Sequence, residues 1–214
     1  MKNVLYIHGM GGGEDSRIPA ILSECLALRR PDIRVVVRTY SFDPDEAFGQ
    51  ISAWVQELDP ALVIGESMGA THALCVRGVP HILVSPAMGT PSAFTHLAWL
   101  SLVPGVTALL DHIYKPRPGR RQPLHFKYDV LRRWKGHKEL AYSSALSDVA
   151  SGHLLFAFFG TRDHYRKWGI VNVRAWKRRF GEDAFAIYDG THFMEEEHIH
   201  TFLVPKICQT LPEA

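Results

Sequence analysis

Long apolar runs are missing from this 214-residue sequence. The longest, residues 94–110, is broken by Pro104-Gly105 and falls short of the roughly 20 residues that cross a bilayer, so no membrane span is expected. The short apolar run at residues 4–7 is soon interrupted by Gly9 and Gly11-Gly12-Gly13. It is too brief for the apolar core of a secretory leader, and no A-x-A-like cleavage site follows. Cysteine is scarce and odd in number: Cys25, Cys75 and Cys208 each sit in a helix-like apolar setting and read as free thiols in a reducing compartment. A cytoplasmic location is therefore expected. The formal net charge of +2 is too small to suggest a nucleic-acid partner. With 46% hydrophobic and 21% charged residues, disorder is excluded too. There is no internal repeat, no low-complexity segment, no Gly-Lys-Ser/Thr phosphate loop and no His-Glu-x-x-His; His192, His198 and His200 lack a zinc spacing. Gly9-Met10-Gly11 is followed three residues on by Glu14, where a dinucleotide fingerprint requires a third glycine. No metal or cofactor is expected.

What remains is a regular alternation. Strand-like runs at residues 4–7, 33–39, 61–64, 81–85, 154–159 and 184–188 are separated by helix-like ones. A helix is predicted over 16–29, with Pro19 tolerated in its first turn. A second starts at Asp43-Pro44-Asp45-Glu46, with Asp43 as N-cap, Pro44 at the first position and Glu46 placed to close a capping box. Others are predicted over 68–76, through Val171, Ala175 and Trp176, and from Glu195 onward, where Glu195-Glu196-Glu197 suits a helix N-terminus. Buried strands alternating with helices imply a parallel sheet of about six strands covered on both faces. At 214 residues this is one domain. Residues 90–152 interrupt the alternation: they hold no convincing strand, three prolines between Lys115 and Pro123, and nine Lys or Arg against four Asp or Glu. This segment reads as an inserted helical cap.

The chemistry lies at the ends of the predicted strands. Gly65-Glu66-Ser67-Met68-Gly69 follows one of them and precedes a helix. Taken alone, the box is either a nucleophile on a strained turn or an ordinary Gly-rich connection. A serine becomes nucleophilic only when a base takes its proton and an acid holds that base in the right tautomer. Asp163, in Gly160-Thr161-Arg162-Asp163, and His192, in Gly190-Thr191-His192, each follow a later strand, in the chain order Ser, Asp, His. Each has a plainer alternative: Asp163 as a cap for the next helix, His192 as one of twelve histidines with a structural role. Asp189 is too close to His192 in sequence to orient it and is read as shaping the turn. His164 is a weaker competitor as base or metal ligand, and Glu66 is expected to be held by local hydrogen bonds.

Together with His8-Gly9-Met10-Gly11, these motifs resemble the α/β-hydrolase superfamily over essentially the whole chain outside the cap. Within it the chain is similar to small bacterial esterases of the YqiA type, although the box there reads Gly-Ser-Ser-x-Gly and here Glu66 precedes the serine. The resemblance implies a three-layer α/β fold lacking the first two strands of the family sheet. It also implies that the loop after the first strand helps to form an oxyanion hole. We assign its donors to the backbone N–H groups of Met10 and Met68.

The expected function is a serine hydrolase acting on a small ester or thioester. An amidase, a carbon–carbon bond hydrolase or an acyltransferase would use the same triad, and a non-catalytic binding protein would use the fold alone. Phe94, Leu97, Trp99, Leu100, Leu102 and Val103 are candidates for an acyl pocket or for lid packing. The basic run around Arg120-Arg121 and Arg132-Arg133 is either solvated surface or an attraction for anionic substrates.

Overall fold

In a computed structural model of the chain, which describes residues 1–115 and 119–213, six strands form one all-parallel sheet in the order β2-β1-β3-β4-β5-β6. The strands are β1 (Lys2–Ile7), β2 (Ile33–Val37), β3 (Leu62–Glu66), β4 (His81–Val84), β5 (Leu155–Gly160) and β6 (Phe185–Tyr188). Tyr6 of β1 sits opposite Val37 and Ile64, and Phe158 of β5 opposite Val84 and Ala186. Because every strand runs the same way, the segments after β1, β3, β5 and β6 emerge at one edge of the sheet. That edge gathers the residues singled out in the sequence.

The inner strands β1, β3, β4 and β5 bury both faces, which is why their sequences are apolar with little alternation, whereas the edge strands expose Arg34 of β2 and Ile187 of β6. Val63 of β3 contributes to one core, while Leu62 and Ile64 contribute to the other. On the first face pack α2 (Pro44–Leu58), α3 (Gly69–Ala73), the C-terminal half of α6 (Tyr128–Ala150) and α7 (Val173–Phe180). On the second pack α1 (Arg17–Arg29) and the C-terminal helices. The latter are α8 (Glu196–His198), a π-helical turn at Ile199–Leu203 and α9 (Val204–Thr210). No helix among the described residues is long and apolar enough to cross a membrane. All three cysteines are free thiols.

The start of α2 follows the sequence, with one change. Asp43 caps it by accepting from Asp45 N–H at 3.0 Å, and Pro44 opens it. Glu46 does not close the capping box; its carboxylate accepts instead from the Ser41 hydroxyl, whose oxygen accepts the Asp43 N–H that the box would have used.

Between β4 and β5 the chain forms α4 (Thr90–Leu100), α5 (Val106–Ile113) and α6. Phe94, Ala98, Leu124, Phe126, Leu131 and Trp134 bury themselves with Phe42 and Met68 in a third apolar cluster. The cluster fixes these helices above the strand ends. Helix α6 serves both parts: Leu131 and Trp134 anchor the segment, whereas Ala141 and Ala145 lie in the core beneath the sheet. Electrostatics ties the segment down as well. Arg120 pairs with Glu14 at 3.2 Å, Arg121 with Asp15 at 3.1 Å and Arg133 with Asp43 at 2.6 Å. Pro116, Arg117 and Pro118 of the basic run lie outside the described residues.

Candidate active site

Ser67 follows the last residue of β3 with a φ of 52°, the left-handed region that a residue with a Cβ enters only at a cost of about 1–2 kcal/mol. The flanking glycines make this turn feasible. A Cβ on Gly65 would stand 2.7 Å from Ala73 Cβ, and one on Gly69 would collide with the carbonyls of Ile7 and His8. The turn is then locked: Ser67 N–H donates to Val84 O at 2.9 Å, and Ser67 O accepts from Ala87 N–H at 3.0 Å. A strained, over-determined serine at a strand end has the geometry of a nucleophile elbow.

The other two residues meet it there. His192 Nε2 lies 2.8 Å from Ser67 Oγ, and His192 Nδ1 lies 2.7 Å from Asp163 Oδ2. Both His192 and Asp163 are buried, and the edge of the His192 ring packs against Tyr165 at 4.6 Å between centroids. The plainer reading of Asp163 is met: its Oδ1 caps the helical turn His164–Trp168 by accepting from Tyr165 N–H at 2.9 Å. Asp189 is exposed and stays in its own turn, accepting from the Thr161 hydroxyl at 2.9 Å and pairing with Arg162. His164 is exposed, with its ring 6.3 Å from that of His192.

The loop carrying His192 is held from two sides. Arg17 donates to the carbonyls of Phe193 and Met194, while the Glu195 carboxylate accepts from Thr191 N–H at 3.0 Å. Partial burial disfavours the Glu195 anion, but hydrogen bonds from Thr191, its own backbone and His198 outweigh it and lower the carboxyl to about 2. Glu66 is held by a hydrogen bond, but from a partner 60 positions away in the chain rather than a local one. Its Oε2 accepts from the Tyr6 hydroxyl at 2.7 Å, and burial raises its pKa above the usual carboxylate range. The clamp by Arg17, the ring of Tyr165 and the Tyr6–Glu66 contact were not read from the sequence. Each joins residues distant in the chain or depends on a loop conformation that no local pattern encodes.

Ser67 and His192 open onto a cavity of about 680 Å³. Phe94, Leu97, Leu110 and Phe126 are among the residues that line it, together with Arg17, Glu66 and Arg121. Of the six residues that the sequence offered as acyl-pocket candidates, Phe94 and Leu97 line the cavity. Trp99, Leu100, Leu102 and Val103 do not; they are exposed, because they lie on the outer side of α4 and in the turn after it. Met10 and Met68 both border the cavity, and no acceptor among the described residues takes either backbone N–H. Among the described residues no three His, Cys, Asp or Glu side chains converge as a metal site requires.

No protein-family model and no curated protein matches the sequence. Solved structures do match. A carboxylesterase from the thaumarchaeon Nitrososphaera gargenis is 15% identical, with 100% of this chain and 92% of that one covered at a TM-score of 0.58. A fluorophosphonate-binding serine hydrolase of Staphylococcus aureus is 11% identical, covering 100% and 84% at 0.62. A bottromycin epimerase is 15% identical, covering 98% and 90% at 0.53. Identities this low bear on architecture, and the six parallel strands, the helices on both faces and the chain-long overlap agree: this protein has the α/β-hydrolase fold.

Proposed function

We propose that the protein is a serine hydrolase that cleaves a carboxylic ester or thioester through an acyl-enzyme on Ser67, with His192 as general base and Asp163 as the acid that orients it. The observation that carries this reading is the continuous chain Ser67 Oγ, His192, Asp163, with contacts of 2.8 and 2.7 Å at the wall of a cavity. The esterase and serine-hydrolase neighbours add support at the level of the fold. Comparable brevity suggests the small YqiA-type esterases as an analogy, from whose box this one departs at Glu66.

In this mechanism Ser67 Oγ attacks the carbonyl carbon as His192 Nε2 takes its proton. Asp163 accepts from Nδ1–H and stabilises the imidazolium, remaining ionised throughout. The negative charge on the carbonyl oxygen is met by the N–H groups of Met10 and Met68; removing one such donor costs about 10²–10³ in rate. His192 then protonates the leaving alcohol or thiol. Water, deprotonated by the same imidazole, releases the acid. No step calls on a cofactor.

The cavity supports a small-molecule substrate whose acyl group is apolar. Phe94, Leu97, Leu110 and Phe126 offer it a wall where each buried methylene contributes about 0.8 kcal/mol. Helices α4 to α6 act as a cap in this reading, and the reaction takes place in the cytoplasm. Hydrolysis of p-nitrophenyl esters of graded acyl length, beside acyl thioesters, tests the assignment. We expect turnover that depends on Ser67 and rises with acyl length until the cavity is filled. A folded protein inert towards every ester and thioester would contradict it.

A further inference from the structure

Two sets of cations on and beside the segment between β4 and β5 differ in their partners. Those above the strand ends are compensated, Arg120 by Glu14, Arg121 by Asp15 and Arg133 by Asp43, Asp45 and Asp129. Those on the far side of α6 are not. Lys135, Lys138 and Tyr142 recur along one stripe of α6, and together with Arg178 and Arg179 of α7 they line a groove of about 840 Å³. Glu139 is the only carboxylate in its lining, and none of the four cations forms an ion pair among the described residues.

Like charges gathered around one groove raise a positive potential that a ligand of opposite sign relieves. Lys138 registers that potential. Its Nζ donates to Ser92 Oγ at 2.8 Å, and burial, followed by repulsion from Arg179, lowers its pKa below the ordinary lysine value. Arg179 is not free to swing away, since its guanidinium rests on the Tyr142 ring at 4.0 Å. Lys138 approaches the same ring at 5.9 Å, so the aromatic ring holds two cations at one wall.

We propose that this groove is a binding site for a ligand carrying a multiply charged phosphoryl group, separate from the cavity at Ser67. Four cations against one carboxylate match a diphosphate better than a monocarboxylate, which would leave most of the charge unanswered. Arginine forks bind phosphate oxygens in pairs, and the hydroxyls of Ser92 and Ser143 add neutral donors to the same lining. A free phosphorylated metabolite and a phosphomonoester lipid headgroup would present the same chemistry.

The test uses the intact protein at low ionic strength. Binding of inorganic pyrophosphate is measured by calorimetry, and association with phosphatidic acid vesicles by co-sedimentation, with phosphatidylcholine vesicles as the neutral reference. Variants are Arg178→Ala with Arg179→Ala, and Arg34→Ala as a control that removes an exposed cation elsewhere. We expect saturable binding of at least one phosphoryl probe, weakened about tenfold or more by the double variant and little changed by the control. Pyrophosphate binding identifies a soluble ligand; vesicle binding without it identifies a headgroup. Ester hydrolysis by the double variant should match the wild type, which shows that it is folded. The proposal is overturned if neither probe binds, or if the control variant loses as much affinity as the double variant.

Discussion

Asp163 and His192 meet through a 2.7 Å contact in which neither side chain is open to solvent, while the second oxygen of the same carboxylate caps a helical turn. One residue therefore touches the imidazole and caps its own loop, and the proposed mechanism gives the first contact the task of orienting the ring. Substitutions separate the two tasks.

Asp163→Asn retains an oxygen that can accept from Tyr165 N–H, so stability should fall by less than about 1 kcal/mol. Its amide favours the wrong imidazole tautomer, however, and kcat should drop by about 10⁴. Asp189→Asn, in an exposed turn, should lose less than about tenfold. Steady-state kinetics and thermal unfolding of both variants check this. The opposite ranking would make Asp189 the orienting acid.

The glycines of the serine turn are sterically required. In Gly65→Ala the new methyl would lie 2.7 Å from Ala73 Cβ and 2.8 Å from Ala70 Cα, so α3 must shift away from β3. We expect a loss of about 1–3 kcal/mol in stability, together with a loss of kcat as Ser67 moves. Gly49→Ala, on α2 with open space around it, serves as the control and should be neutral or stabilising. Denaturant unfolding compares the two.

Behind the serine turn, His8, His72 and His137 are packed together with Tyr40, and His137 Nε2 lies 2.8 Å from His72 Nδ1. Burial lowers His8 and His137 to about 4 and His72 well below the ordinary value. An unfolded histidine titrates near 6.5, so between about pH 6.5 and 4 the unfolded chain binds more protons. The contribution to stability is thus complete above about pH 6.5 and lost as the pH falls, by about 3 kcal/mol each for His8 and His137 as the pH approaches 4. Urea unfolding at a series of pH values should show that decline, and His137→Gln should make it shallower. An unchanged slope in the variant would place the acid sensitivity elsewhere.

The sheet was legible because its inner strands are buried on both faces and therefore read as unbroken apolar runs, such as Phe156 to Phe159. The placement of Ser67, Asp163 and His192 was legible for a related reason: in a parallel sheet, residues just past strand ends converge on one edge. Helix α6 was not legible. Its buried stripe mixes Leu131 and Trp134 with His137, Ser144 and Asp148, and Gly136 sits near its middle, so no apolar period stands out. Nor did the basic run reveal its partners. Arg120 and Arg121 find Glu14 and Asp15 across 106 positions, a distance over which charge patterning carries no signal. The cap and the orienting acid were set out as rival readings of Asp163 because each is a complete account by itself, yet the carboxylate has two oxygens, one facing Tyr165 N–H and the other His192.

The central claim is that Ser67 is the nucleophile, and a fluorophosphonate probe reads it directly. Phosphonylation requires a serine activated by its base, and the adduct can be placed by mass spectrometry of the digested protein. The account predicts a single adduct on the peptide containing Ser67. It also predicts that Ser67→Ala, whose methyl fits the same turn, unfolds at the wild-type temperature but takes up no probe and loses about 10⁴–10⁶ in kcat. Probe uptake by Ser67→Ala equal to the wild type, or near-normal ester turnover by that folded variant, would contradict it.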